Sequence, residues 1–260
     1  MTRISRFIAL TLVAAVLAGC SMWGEELDPT RDWSARRLYD TAKGHLDRGA
    51  YEQAIEYYEK LDVRYPFGPL AMQGQLDLVY AYYKFDKHAS AIAAADRFIK
   101  LHPRHPNVDY AYYLKGLAHF VGDDSILDRF VTKDRSEHDT SVTLQSFRAF
   151  EELVQRFPES RYADDSRQRM LYLKNQLAMH EIHAARYYIK RGAWLAAANR
   201  ARYVVENFQR TPAVSDALAV MTIAYRKMGL DDLSADAARV LRLNYPDYAG
   251  FDETGSSPER

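Results

Sequence analysis

The sequence predicts an all-α fold, an α-solenoid of about five stacked helix pairs. Three observations carry this. Apolar residues recur at helical spacing, and no strand pattern or glycine-rich phosphate loop appears. Five segments close on proline: "EKLDVRYP", "DRFIKLHP", "EELVQRFP", "VVENFQRTP" and "RVLRLNYP", at Pro66, Pro103, Pro158, Pro212 and Pro246. Their steps are 37, 55, 54 and 34 residues. Two lie near the ~34 residues of a tetratricopeptide repeat (TPR), and two are that length plus about 20. Within the repeats, small residues recur in register. "DRGAYEQAIEYYEKLDVRYP" offers Gly49, Tyr51, Ala54, Tyr58 and Pro66. "RGAWLAAANRARYVV" offers Gly192, Trp194, Ala197 and Ala201, and "MGLDDLSADAARVLRLNYP" offers Gly229, Ala238 and Pro246.

Each residue type has a job. Glycine permits the tight turn between antiparallel helices. Alanine lets the helices approach. Proline, lacking a donor and clashing with the preceding turn, ends the second helix. The pattern predicts helices at 34–48 and 51–64, 69–85 and 88–101, 107–121 and 142–156, 160–191 and 194–208, and 213–228 and 231–243. The surplus of the third repeat reads as a long charged loop, "GDDSILDRFVTKDRSEHDTS", at 122–141. The surplus of the fourth lengthens its first helix to ~30 residues, or ~45 Å, which joins the front three repeats to the back two. Repeats stacked this way form a concave binding face.

The start of the chain has a different character. Arg3 and Arg6 precede the apolar run "FIALTLVAAVL", followed by "LAGCS". A basic start, a short apolar core and small exit residues describe a secretory signal peptide at 1–19. The run is about half of the ~20 residues that a membrane span needs. Cys20 is the single cysteine, so it makes no internal disulfide. "LAGC" resembles the bacterial lipobox, which implies cleavage before Cys20 and acylation of that residue. Ser21, in place of aspartate, favours sorting to the outer membrane. Residues 20–33 read as a flexible tether, 34–158 as repeats 1–3, 159–247 as repeats 4–5, and 248–260 as a disordered polar tail. Without residues 1–19 the net charge is about −2, which calls for no nucleic acid.

Catalytic and metal patterns are weak. "HEIH" at His180–His183 lacks the four-residue spacing of a helical zinc pair. His102 and His105 flank helix-breaking prolines, and Asp123, Asp124 and Asp128 lack calcium-loop spacing. No cofactor, metal or enzymatic activity is expected. Binding is the expected work. TPR register places Tyr39 and Leu46, then Leu76, Tyr80 and Tyr83, then Tyr110, Tyr113, Leu117 and Phe120 on the inner face of the front half. Six of these are aromatic, a surface suited to extended peptides; packing between helices is the plainer alternative for any one of them. From Arg161 to Arg210 there are ten Lys/Arg against four Asp/Glu. Inward positions Arg186, Lys190, Arg226 and Lys227 are basic, which favours an acidic protein partner unless they form an ordinary solvated face.

"RYPFGP" at Arg64–Pro69 goes beyond what TPR grammar requires. With "QLDLVYAYYK", "DRFIKLHPRHPNVDYAYYLKGL", "GDDSILDRF", "DRSEHD" and "RYYIKRGAWLAAANR", it resembles the BamD family over nearly the whole chain. That family comprises TPR lipoproteins of the outer-membrane β-barrel assembly (BAM) machine. The resemblance implies a place on the periplasmic side of the outer membrane. It implies a front half that engages the C-terminal strand signal of unfolded outer-membrane proteins. It implies a back half that binds the periplasmic domains of a BamA-type barrel subunit, alongside other BAM lipoproteins. It assigns Tyr65 and Phe67 to substrate contact and Arg200 to the partner-facing end. Tyr65 as a packed cap and Arg200 as a solvated charge are the plainer alternatives. A TPR lipoprotein of another envelope machine, such as a secretion or pilus pilotin or a division-linked factor, is the competing function.

Overall fold

The computed structural model describes residues 28–121 and 140–250. Ten helices follow in order: α1 (Ala35–Asp47), α2 (Tyr51–Arg64), α3 (Pro69–Lys84), α4 (His88–Leu101), α5 (Val108–Val121), α6 (Thr140–Arg156), α7 (Ala163–Lys190), α8 (Trp194–Asn207), α9 (Ala213–Lys227) and α10 (Asp231–Asn244). All ten lie within three residues of their expected ends. The signal peptide, Cys20 and 122–139 of the expected loop lie outside the described residues, as does the tail from residue 251.

The turns within pairs share one hydrogen-bond pattern. The backbone N–H groups of Ala50, Lys87, Ala193 and Leu230 each donate five residues back, to His45, Tyr82, Tyr188 and Tyr225. This is the Schellman closure, which needs a left-handed residue just before the donor. Gly49, Gly192 and Gly229 supply it at φ 74°, 70° and 73°, as the sequence pattern predicts. The second pair uses Asp86 instead, at φ 55°; a short polar side chain tolerates that region better than most.

The second helices end as their prolines dictate. Tyr65, His102 and Tyr245, each preceding proline, take φ/ψ of −133/64°, −128/54° and −137/64°. The proline ring pushes the residue before it out of the α region.

Every helix packs on its chain neighbours. In addition α1 touches α3, α3 touches α5 and α7 touches α9, while the even-numbered helices make no comparable contact with one another. The odd helices therefore line the inner side of the stack and the even ones the outer side. Ala42, Ala54, Ala95, Ala197 and Ala201 are fully buried where helices cross. On α10 the buried small residues are Ser234 and Ala237; Ala238, the expected packing position, is half-buried. Leu46, Leu76 and Leu117, expected on the inner face, are buried in the core. Their registers lie at the inner edge of the helix–helix seam, where an aliphatic side chain turns inward.

Both ends of the fold extend further than the sequence suggests. Residues 28–33, expected as loose tether, are fixed on the first pair, and Thr30 is only 2% exposed. Tyr248, expected in the disordered tail, folds back so that its hydroxyl donates to Asp216 on α9.

Candidate functional site

The front-half inner face is a run of half-buried aromatic rings. Tyr39 on α1 and Tyr80 on α3 pack on the core of the first pair. Tyr80 also joins Tyr83, Tyr110, Tyr113 and Phe120 around the next core cluster. The structure thus places the six expected aromatics around two adjoining core clusters that share Tyr80. Each ring is partly packed and partly open, so both alternatives of the sequence describe the same side chains.

Two residues outside the expected set organise this surface. Tyr162, just before α7, stacks on Tyr113 with ring centres 4.6 Å apart and on Tyr110 at 5.2 Å. Asp77 on α3 accepts the hydroxyls of Tyr39 and Tyr58, both at 3.1 Å, and the Gln73 amide at 2.8 Å. Burial pushes the Asp77 carboxyl above the ordinary carboxylate range, against these hydrogen bonds and the charge of Lys43. Burial, then Asp77, pushes the Tyr39 and Tyr58 hydroxyls far up, so they remain donors at any ordinary pH. A sequence signal for Asp77 exists: it is the single charge between Pro69 and Tyr83. Tyr162 has none, because its partners lie across a repeat boundary.

Further along, the Tyr113 hydroxyl donates to Asp165 at 2.8 Å, and Arg169 donates to the same carboxylate at 2.6 Å. Burial and this contact push Tyr113 up to about 12. Burial works against ionised Asp165, yet Arg169 and Tyr113 hold its carboxyl below the usual range. The Arg169 guanidinium also lies 5.2 Å over the Phe120 ring. A cavity of about 500 Å³ opens beside this stack, lined by Gln73, Asn107, Tyr110, Arg161 and Tyr162 among others. The surface is aromatic with polar rims. It offers ring faces to apolar side chains, and hydroxyls and amides to an extended backbone.

Tyr65 and Phe67 stand elsewhere, in the turn between α2 and α3. The Tyr65 hydroxyl donates to the Trp33 carbonyl at 2.9 Å, and Phe67 is 89% exposed.

The expected partner residues divide between two sides. Arg186, Lys190, Arg226 and Lys227 are on the inner helices α7 and α9. Arg186 pairs with Asp216 at 3.0 Å and is mostly buried in that bond; Lys190, Arg226 and Lys227 are exposed. Arg200 is on the outer helix α8, where it meets Glu181 of α7 at 2.8 Å. With Tyr188, Asn199 and Tyr203 it lines an open cavity of about 510 Å³. The structure does not bring Arg200 together with the other four.

Among the described residues no group of His, Cys, Asp and Glu could hold a metal ion, and no helix is long and apolar enough to cross a membrane. Fold and groove together define a helical-repeat binding scaffold. Comparison with known proteins says which one. The family described as outer membrane lipoprotein, YfiO, matches residues 31–241. The outer membrane protein assembly factor BamD of Neisseria meningitidis serogroup A is 43% identical over 246 residues, 95% of this chain and 92% of that protein. BamD of Vibrio cholerae is 37% identical over 233 residues, 90% of this chain and 95% of that one. BamD of Xylella fastidiosa Temecula1 is 36% identical over 211 residues, 81% and 72% of the two chains. A solved Podosopora anserina putative kinesin light chain with TPR-like repeats covers 80% of this chain at TM-score 0.34 and 14% identity, too remote to bear on the argument. The chain belongs to the BamD (YfiO) family of outer-membrane lipoproteins, a family of non-catalytic assembly factors.

Proposed function

We propose that this outer-membrane lipoprotein holds unfolded outer-membrane proteins on its front half while its back half engages a barrel-forming, BamA-type subunit and its companion lipoproteins. Acyl chains on Cys20 anchor it to the periplasmic face of the membrane. Each buried CH2 contributes roughly 0.8 kcal/mol, and one chain alone binds only marginally, so firm anchoring needs more than one.

The observation that carries the proposal is the run of half-buried aromatic rings on α1, α3 and α5, joined by Tyr162 stacked on Tyr110 and Tyr113. Strand signals of barrel proteins carry aromatic and apolar side chains on an extended backbone, and the groove answers both features. The exposed basic residues of α7 and α9, and Arg200 outside them, supply two faces for an acidic partner. Family membership weighs against a pilotin or division role.

The test is recovery of a tagged copy from gently solubilised outer membrane. A large β-barrel protein with periplasmic repeats is expected in stoichiometric amount; secretion, pilus or division proteins in its place would overturn the proposal. Cys20→Ala is expected to release the chain from membranes, and unchanged membrane retention would reject Cys20 as the anchor.

A further inference from the structure

We propose that the corner of the first helix pair bearing Phe67 and Val63 rests on the phospholipid surface to which the chain is anchored. The inference depends on Cys20 being the acylated residue.

The chain enters the fold through a latch. The Asp28 carboxylate accepts the Thr30 backbone N–H at 2.9 Å and the Thr30 hydroxyl at 2.8 Å. It also meets the Arg64 guanidinium and, at 3.6 Å, the Lys60 ammonium. Arg64 donates as well to the Thr30 carbonyl. Five residues on, the Trp33 ring stacks on Tyr57 at 5.8 Å with its plane tilted by 2°. Residues 28–33 are therefore fastened to the C-terminal end of α2, not trailing from α1.

This sets a distance. Eight peptide units separate Cys20 from Asp28, which span at most about 28 Å when fully extended. With Cys20 held at the lipid surface, Asp28 cannot stand further from it than that, and the end of α2 is one Arg64 side chain beyond Asp28. The two most exposed large apolar side chains of the described residues are at this end: Phe67 at 89% and Val63 at 81%. Pro66 precedes Phe67, and Gly68, at φ 99°, and Pro69 follow, so a proline restricts the backbone on either side of the turn. Arg31 in the latch and Arg36 at the start of α1, the latter 3.9 Å from Asp40, lie exposed, and such residues suit anionic headgroups. Tyr65, whose hydroxyl ties the turn to Trp33, braces the corner.

The experiment uses the chain from Cys20 onward, coupled through its single thiol to a maleimide-bearing phospholipid in phosphatidylethanolamine/phosphatidylglycerol vesicles. A photoreactive benzoylphenylalanine replaces Phe67, or Leu195 on α8 as an exposed control far from the latch (65% against 89% exposed). Lipid adducts at 67 are expected to exceed those at 195 by five-fold or more. Inserting eight Gly/Ser residues after Ser21 leaves the folded body unchanged and is expected to lower the adduct at 67 by roughly three-fold, as effective concentration falls with tether length. Asp28→Ala is expected to lower it further while the circular dichroism spectrum is retained. Equal yields at 67 and 195, or capture of an added barrel-strand peptide at 67 in preference to lipid, would overturn the proposal. Because the maleimide lipid supplies the anchor, that failure is distinct from a failure of acylation, which the mass of the native membrane form reads directly.

Discussion

Asp77 carries more of the groove than any other single side chain. Two tyrosine hydroxyls from α1 and α2 and an amide from its own helix converge on its carboxylate. This polar knot fixes the rotamers of Tyr39 and Tyr58 and sits beside Tyr80 and Tyr110. Leaving such donors unmade in a half-buried site costs ~1–3 kcal/mol each, so removing the acceptor outright would collapse the local order. Asp77→Asn is the milder change, since the amide oxygen still accepts. Its effect has a sign. Burial raises the folded-state pKa above the ordinary 3.8. Between the unfolded and folded values the native state therefore binds more protons, and stability falls as pH rises through that window. Asparagine has no proton to lose. The melting temperature of Asp77→Asn relative to the parent is expected to climb from pH 3.8 upward and then level off. A difference that stays constant with pH would show that Asp77 ionises as it does in the unfolded chain.

Two helix glycines have opposite meanings, one at a helix–helix contact and one away from any. Gly116 on α5 faces Phe150 of α6, and a methyl placed there would lie 2.5 Å from the ring, which is fully buried and has nowhere to move. The Ser146 hydroxyl donates to the Gly116 carbonyl at 3.0 Å across the same contact. Gly44 on α1 faces only the flexible Arg48 side chain at 3.4 Å. Alanine ordinarily gains ~1 kcal/mol over glycine inside a helix. At Gly44 that gain should appear as a raised melting temperature. At Gly116 overpacking of ~1–3 kcal/mol outweighs it, so the same substitution should lower stability, and Phe150→Leu should restore part of the loss. A stabilising Gly116→Ala would mean that α5 and α6 separate easily. These elements also show what sequence can reveal. Helix ends were legible because proline and left-handed glycine act within a few residues. Thr30 buried under Arg64 and Tyr162 stacked on two other rings were not, because their partners come from distant parts of the chain; Asp86 in a glycine's place was not, because a residue other than glycine seldom takes the left-handed turn position. The inner-face register named six aromatics that lie half-buried on the inner helices but treated Leu46, Leu76 and Leu117, which are buried, alike; only the packed seam separates a half-buried residue from a core one.

Across the whole molecule, α7 is the spine. Its 28 residues run ~42 Å, and carry Asp165 in the aromatic groove and, ~24 Å further along, Glu181 under Arg200. The proposed substrate surface and the outer partner surface thus share one rigid element but no side chain. Sites that share no partner contribute additively. Tyr110→Ala is expected to weaken crosslinking to barrel-strand peptides about ten-fold, ~1.4 kcal/mol, and to leave binding to the barrel-type partner unchanged. Arg200→Glu is expected to do the reverse. Because that change sets two acids together at Glu181, the swapped pair Arg200→Glu with Glu181→Arg serves as its folded counterpart, checked by circular dichroism. The swap restores the internal ion pair yet moves the positive charge from α8 to α7, so partner affinity should stay low. Combining Tyr110→Ala with the swap should give each single loss undiminished in its own assay, with no further loss in either. A swap that regains full partner affinity would assign Arg200 to internal pairing alone. Losses that spread into both assays would mean that α7 transmits a change between the halves, and the division into a substrate side and a partner side would fail.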